Sequence, residues 1–334
     1  MGKKDLLKDK IFLISGGTGT FGQAMCKRLL STDVKEIRVF SRDEYKQSQM
    51  RRKFKDKRLK FYLGNIRDYE AIYKALKDVD YVFHTAALKQ VLACEAFPEE
   101  AFKTNVMGTN NIANAAIAQG VEKFVFLSTD KAVEPQNVLG STKALAEKLI
   151  KKKSEESETV FSITRFGNLI VSRGSVVQIF TEAILAGKAL NVTNKNMNRF
   201  WLSLDEAIDL VMEALEHAKQ GDTYVLKAKA ADLETLVQAL LELFSAEDKI
   251  EVNLVGADPS EKLYESLISQ SEMHETISQD NYYIVKRDKF RDEASLASFD
   301  AFSSNHAEQM NLEEVKEKLL SSEFIQEKLN YLKQ

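Results

Sequence analysis

Between Lys10 and about Gly167, short apolar runs alternate with longer stretches in which apolar residues recur every three to four positions. The runs are KIFLIS (Lys10–Ser15), EIRVF (Glu36–Phe40), Leu59–Leu63, VDYVFH (Val79–His84), Phe124–Leu127 and Thr159–Phe166. Their length and their β-branched and aromatic content predict buried strands, and the stretches between them predict helices, including Gln23–Leu30, Ala101–Gln119 and Ser141–Ile150 with Leu145 and Leu149 on one face. Strands and helices in strict alternation build a doubly wound parallel sheet. Beyond Gly167 the pattern loosens. Leu204–His217 reads as an amphipathic helix and Thr223–Lys227 as a strand that rejoins the sheet. Leu233–Phe244 is a helix and Ile250–Val255 a strand. Asp258–Ile268 places Glu261 and Glu265 four residues apart, on one helical face. Ser269–Met310 is polar and weakly patterned, and so long an irregular stretch needs a surface to lie on, such as a neighbouring subunit. From Asn311 the chain is helical again.

Bulk composition narrows the possibilities. A chain of 334 residues with 44% hydrophobic content folds without staples. Its 47 basic and 50 acidic residues are well mixed and leave a formal charge of −3, which argues against a general nucleic-acid or membrane-surface role. Cys26 and Cys94 both fall in helical stretches and read as reduced thiols. His84, His217, His274 and His306 show no ligand spacing, so no metal site is expected. The start, MGKKDLLKDK, lacks an apolar core and no stretch reaches about 18 apolar residues, so a cytoplasmic location is expected.

The chemistry begins at the first strand. KIFLIS runs directly into GGTGTFG and then a helix. Gly17, Gly19 and Gly22 satisfy G-x-G-x-x-G, while Gly16, Gly19 and Gly22 satisfy the wider G-x-x-G-x-x-G, with Thr18, Thr20 and Phe21 between them. Either spacing allows a tight turn, close approach of backbone to a pyrophosphate, and an anion at the helix N-terminus. The context of strand, glycine turn and helix makes this a dinucleotide site, and the fold class α/β with a Rossmann-like doubly wound parallel sheet. The end of the second strand chooses the cofactor. Ser41 and Arg42 come first, ahead of Asp43 and Glu44, with Lys46, Arg51 and Arg52 nearby, which favours the 2′-phosphate of NADP over the 2′-hydroxyl of NAD. Asn65 and Ile66 follow the third strand and border the adenine. After the fourth strand, Ala86 and Ala87 let the cofactor backbone pass closely, and Lys89 points at the sugar or its phosphates. Asn105 departs from the apolar pattern of its helix and reads as a buried polar group reaching a loop backbone.

The densest chemistry is FLSTDKAVEPQNVLGSTKALAEK, Phe126 to Lys148, where Thr129, Asp130, Lys131 and Lys143 gather beyond a strand end. In an open α/β sheet the ligand crevice lies there. Asn168, Arg173, Lys195 and Arg199 are loop-placed groups suited to diphosphate oxygens, with Arg173 and Gly174 as a clamp. Glu261 suits ribose hydroxyls. Each has a plainer reading as a surface or helix-end polar group. The chain therefore divides into a dinucleotide-binding domain, 1–168 plus about 203–230, and a smaller C-terminal substrate-binding domain, about 169–202 plus 231–334, with a polar latch-like segment at 269–310.

These motifs resemble the extended short-chain dehydrogenase/reductases, and within them the nucleotide-sugar 4,6-dehydratases of capsule and O-antigen synthesis, nearest the CapE-like, C5-inverting group. The resemblance rests on SGGTGTFG, IRVFSRDE, LKFYLGNIRD, YVFHTAALKQV, KTNVMGT, LSTDKAVEPQNVLGSTKALAEK, RFGNLIVSRGSV, NRFWLSLDEA and SEKLYESL, spread over most of the chain. It implies tightly held NADP, UDP-N-acetylglucosamine as substrate, and substrate contacts that include Val176. It also implies a homo-oligomer, suggested to be a hexamer, and a downstream nucleotide-sugar reductase or epimerase. Leu139 stands where the superfamily usually has tyrosine, four residues before the active-site lysine. Asn65 and Asn194 replace aspartates, and Ser260 replaces glycine.

The implied reaction is oxidation at C4, elimination across C5 and C6, and reduction at C6. Lys131 is the candidate base at C5. Asp130, if protonated, donates to the departing C6 hydroxyl. Thr129 holds the C4 oxygen, and Lys143 binds the nicotinamide ribose and supplies positive charge. The residues alone support a nucleotide-dependent site with an acid and a base. Two other readings stay open: a UDP-sugar 4-epimerase, and a non-catalytic NADP-binding protein disabled by the missing phenol.

Overall fold

The structure is a computed structural model that describes residues 6–172, 174–256, 259–286 and 300–332. Six parallel strands, β1 (Ile11–Ser15), β2 (Glu36–Ser41), β3 (Leu59–Leu63), β4 (Tyr81–His84), β5 (Lys123–Thr129) and β6 (Val160–Phe166), lie in the order 3-2-1-4-5-6. Thr223–Leu226 adds in parallel beside β6, and the antiparallel hairpin Thr276–Gln279 and Tyr282–Val285 completes a nine-stranded sheet. The strand order reverses between β1 and β4. That places the topological switch point, where open α/β sheets bind their ligands, at the ends of Ser15 and His84.

The apolar runs are continuous because both faces of the sheet are covered. Phe12, Ile14 and Val39 face the helices Thr20–Leu30 and Leu204–His217, while Leu13, Phe40, Val82, Phe124 and Phe126 pack against Ile112, Ala116, Ala146 and Ile150 on the other side. A separate core gathers Val177, Phe180, Leu190, Trp201, Leu236, Leu240, Phe244, Val315 and Leu319.

Four local expectations are corrected. The helix predicted over Ser141–Ile150 spans Val138–Glu156, and Leu145 is exposed. Its inward face instead carries Lys143, Ala146, Glu147 and Ile150, because polar partners below the helix accept the charged groups. The helix expected across 101–119 is broken into Pro98–Ala101, a π-helical turn Phe102–Gly108, and Thr109–Ala118. No helix forms in the described part of 258–268. Asn198 N–H and the Arg199 guanidinium take the carbonyls of Lys262 and Leu263 that a helix would use, and Ser266–Ile268 pairs as a strand with Phe302–Ser303. Finally, the polar stretch 269–310 is not irregular throughout. Its YYIV pairs with Thr223–Leu226, one strand in from the sheet edge, with Ile284 and Val285 buried.

Candidate active site

The turn after β1 is shaped to take a dinucleotide. Gly16 has φ +68°, and a Cβ there would sit 2.9 Å from the Ala86 Cα and the Thr85 Oγ1. A Cβ on Gly22 would lie 2.5 Å from the Gly17 Cα, so the helix packs this closely on the turn only with glycine at 22. Gly19 is the N-cap of Thr20–Leu30, and no side chain among the described residues caps the helix. Its first-turn N–H groups are thus left to an anion. Thr18 and Phe21 are buried and Thr20 is half-buried beside them. These features fit a dinucleotide pyrophosphate.

Across the switch point, the β4 end is held by a buried chain of hydrogen bonds. Ser15 Oγ and His84 Nδ1 are 2.6 Å apart, and His84 Nε2 lies 2.9 Å from Thr109 Oγ1, which donates to Asn105 O at 2.6 Å. Since that hydroxyl proton is used, Nε2 donates and Nδ1 accepts from Ser15. Ser15 Oγ in turn accepts from the N–H groups of Thr85 and Ala86. Burial, with the nearby Lys143 charge, pushes the His84 pKa down to about 3, so the imidazole stays neutral. Asn105 exchanges hydrogen bonds with the backbone of Leu88, the loop contact read from its sequence. Ala86 and Ala87 are half-buried on that loop, and Lys89 is exposed, 3.4 Å from Ser172 Oγ.

At the β2 end, Ser41 is buried and its Oγ accepts from Gln47 Nε2 at 3.0 Å. Arg42 is exposed. Asp43 caps the next helix through Lys46 N–H and pairs with Lys46 Nζ at 2.7 Å. Arg51 lies over the Phe61 ring. Asn65 Oδ1 accepts from Arg67 N–H, and Ile66 is buried against Gly108.

An acid–amine cluster forms at the end of β5. Asp130 is fully buried; its Oδ1 accepts from Thr129 Oγ1 at 2.8 Å and from Lys131 Nζ at 3.1 Å, and its Oδ2 has no hydrogen-bond partner among the described residues. Lys131 Nζ also lies 3.4 Å from Asn168 Oδ1 and 3.4 Å from Glu265 Oε1. Burial works against the Lys131 charge, but the carboxylates of Asp130 and Glu265 outweigh it and raise the amine's pKa. Burial and the Asp130 charge raise that of Glu265, against the opposing charges of Lys131, Arg199 and Lys262. Both shifts mean that the cluster holds on to protons. Glu265 carried no role in the sequence reading, where its spacing directed attention to Glu261. The local signal for it is weak: only the short run Leu267–Ile268 that follows marks a buried strand start.

Lys143 is buried one layer away. Its Nζ donates to Leu127 O at 2.6 Å and lies 3.9 Å from the centre of the Phe126 ring. Burial pushes its pKa down to about 7, with Glu147 opposing. Leu139 is buried in an apolar cluster with Cys94 and Ala101, flanked by Leu88, Val91 and Val138.

Of the other residues singled out, Asn168 belongs to the cluster. Arg199, read as a diphosphate group, spends its guanidinium on the carbonyls of Asn198, Lys262 and Leu263 and so fastens the 259–265 strap. Lys195 pairs with Glu234 at the surface. Glu261 is exposed and Val176 half-buried at a helix start, with Ser175 as N-cap. Arg173 lies outside the described residues.

The glycine turn and the strand order define an α/β protein with the extended short-chain dehydrogenase/reductase fold. More narrowly, residues 12–287 match the polysaccharide biosynthesis protein family, and the chain belongs to it. It is 45% identical over 338 residues to proteins of Rickettsia akari and Rickettsia rickettsii named UDP-glucose 4-epimerase, an alignment that covers 96% of this chain and 98% of each relative. It is also similar to the X-ray structure of Pen from Bacillus thuringiensis, with 37% identity, a TM-score of 0.87, and coverage of 94% of this chain and 98% of that one. A dTDP-glucose 4,6-dehydratase of Streptomyces venezuelae, solved with NAD and TYD bound, shares the fold at 20% identity and a TM-score of 0.70, over 94% of this chain and 99% of that one. No helix among the described residues is long and apolar enough to cross a membrane.

Proposed function

We propose that this protein is a nucleotide-sugar 4,6-dehydratase that removes water from UDP-N-acetylglucosamine, with inversion at C5, in the synthesis of a capsular or O-antigen sugar precursor. The observation that carries this reading is the pairing of buried Asp130 with half-buried Lys131 beside Thr129. Hydride transfer at C4 needs no second acid and base; elimination across C5 and C6 does.

The Gly16–Gly22 turn and Ala86 would hold the pyrophosphate and Lys143 the nicotinamide ribose, while Ser41 and Arg42 favour NADP. When bound, that cofactor would take hydride from C4 and return it at C6, while the C4 hydroxyl proton would pass to the Lys143 amine or to water. Lys131 and Asp130 then need one internal rearrangement. A proton moving from Lys131 Nζ to Asp130 Oδ1, across 3.1 Å, makes the amine a base and the carboxyl an acid together. The amine takes the C5 proton, and Asp130 protonates the C6 oxygen, which leaves as water. Thr129 turns its hydroxyl from Asp130 to the C4 oxygen. Protonation of C5 from the opposite face gives the L-arabino ketone, a labile product suited to a following nucleotide-sugar reductase or epimerase. The same reading includes assembly as a homo-oligomer.

A second reading, UDP-sugar 4-epimerase, is favoured by the names of the 45% identical relatives. Proton NMR separates the two when the protein is incubated in deuterated water with UDP-N-acetylglucosamine and, in parallel, with UDP-glucose. A C6 methyl signal with deuterium at C5 is the expected result. Inversion at C4 without a methyl signal would establish the epimerase, and no change with cofactor and sugar both bound would overturn both readings for these substrates.

A further inference from the structure

Two carboxylates from different parts of the chain converge on one amine. Asp130 follows β5, whereas Glu265 comes from the strap 259–265, more than a hundred residues later. Lys131 Nζ meets Asp130 Oδ1 at 3.1 Å, Asn168 Oδ1 at 3.4 Å and Glu265 Oε1 at 3.4 Å, three acceptors for the three N–H bonds of an ammonium. The strap that delivers Glu265 is tied on several sides. Asn137 Nδ2 donates to Ser260 O, Arg199 holds the Lys262 and Leu263 carbonyls, Lys262 Nζ donates to Val133 O, and Glu265 N–H donates to Ser304 Oγ.

These ties are made by other groups, so the Glu265 carboxylate is not what fastens the strap. Glu265 is 3% exposed, and its Oε2 has no hydrogen-bond partner among the described residues, with Lys262 Nζ 3.9 Å away. A buried carboxylate left half-satisfied is unfavourable for folding, and a role in packing alone gives no reason to keep it. The charged groups facing it are Asp130, Lys131, Arg199 and Lys262.

We propose that Glu265 is a positioning residue, the second counter-ion of Lys131, and that it sets how readily that amine gives up its proton to become a base. The proposal rests on the dehydratase reading only for what Lys131 does with its lone pair. With Glu265 ionised, the ammonium faces two negative charges and holds its proton. With a neutral side chain in its place, Asp130 alone opposes release.

The test is nitrogen and carbon NMR titration of lysine-labelled protein, with the Lys131 signal assigned by its loss in Lys131→Arg. In the unaltered protein Lys131 should titrate above the ordinary lysine value of 10.5; a value at or below it overturns the proposal without any variant. In Glu265→Gln it should fall by about 1–3 pH units, and Glu265→Asp, which keeps the charge, should recover most of that fall. The acid limb of deuterium exchange at C5 of UDP-N-acetylglucosamine should move down by the same amount. An unchanged titration in folded Glu265→Gln overturns the proposal. A shifted titration with no sugar turnover in either protein upholds it and overturns the dehydratase reading instead.

Discussion

The Lys143 amine donates its hydrogen bond to the main-chain carbonyl of Leu127, 2.6 Å away, at the depth of the sheet and over the Phe126 ring. A protonated amine in that place has little solvent, and Glu147, one helical turn on, is itself engaged by Arg165. The pKa of about 7 follows from this burial. Below pH 7 the folded protein bears the whole penalty of a buried ammonium. Between pH 7 and 10.5 the unfolded chain binds more protons, so stability rises with pH across that window. Lys143→Met, in the protein without cofactor, should therefore be more stable than the parent at pH 6 by on the order of a few kcal/mol, the gap closing toward pH 10. Thermal unfolding at several pH values measures it, and a gap that does not vary with pH would remove the assigned cause.

Leu139 sits in the apolar cluster of Cys94 and Ala101, not in an open polar pocket. Restoring tyrosine there would add a ring and a hydroxyl to a filled site. Leu139→Tyr should lower stability by about 1–3 kcal/mol and leave the rate of sugar turnover no higher than the parent's. A rate increase with unchanged stability would mean that the site has room for a phenol and that the missing tyrosine limits the enzyme.

Glu272 ties the C-terminal hairpin to the sheet. Its carboxylate shares Arg165 with Glu147, at 2.8 Å from Arg165 Nη1. Burial opposes its charge, but the hydrogen bonds and charge of Arg165 prevail and hold the pKa at about 2. This is a depressed carboxylate, so the stability it brings is present above the unfolded value of 4.5 and is lost as pH falls through 2. The amount is roughly 3 kcal/mol. Glu272→Gln should flatten the acid-denaturation slope between pH 4.5 and 2. An identical slope in parent and variant would assign acid unfolding to other groups.

Much of this was legible in the chain because period and local motif report it directly. KIFLIS followed by GGTGTFG specifies strand, turn and helix with no help from distant residues, and β1 to β6 fall where the apolar runs lie. What was not legible depends on partners far away in sequence. Arg199 looks like an anion group until the carbonyls of Lys262 and Leu263 are seen to occupy it, and the same contacts remove the helix expected over Asp258–Ile268. Glu265 gains its importance only when the strap brings it to Lys131. Leu145 and Leu149 suggested the wrong inward face because Lys143 and Glu147 find buried partners beneath the same helix.

In the proposed reading, the choice of cofactor would rest on one exposed arginine, Arg42. At the β2 end, Lys46 is paired with Asp43, and Ser41 Oγ already accepts a bond from Gln47, though its hydroxyl proton can still be given. Arg42 is exposed and makes no hydrogen bond or ion pair among the described residues, and in the proposed reading it would be the cation that meets a 2′-phosphate. A hydrogen bond between charged groups contributes about 1.5–3 kcal/mol, so Arg42→Ala should weaken NADP binding by about 10- to 100-fold while changing NAD binding less than about 2-fold. Calorimetric titration of both dinucleotides at one fixed salt concentration measures this. If NAD binds more tightly than NADP to the parent, and Asp43→Asn weakens NAD while Arg42→Ala weakens neither, the acidic side chain chooses the cofactor and the arginine is a solvated turn charge.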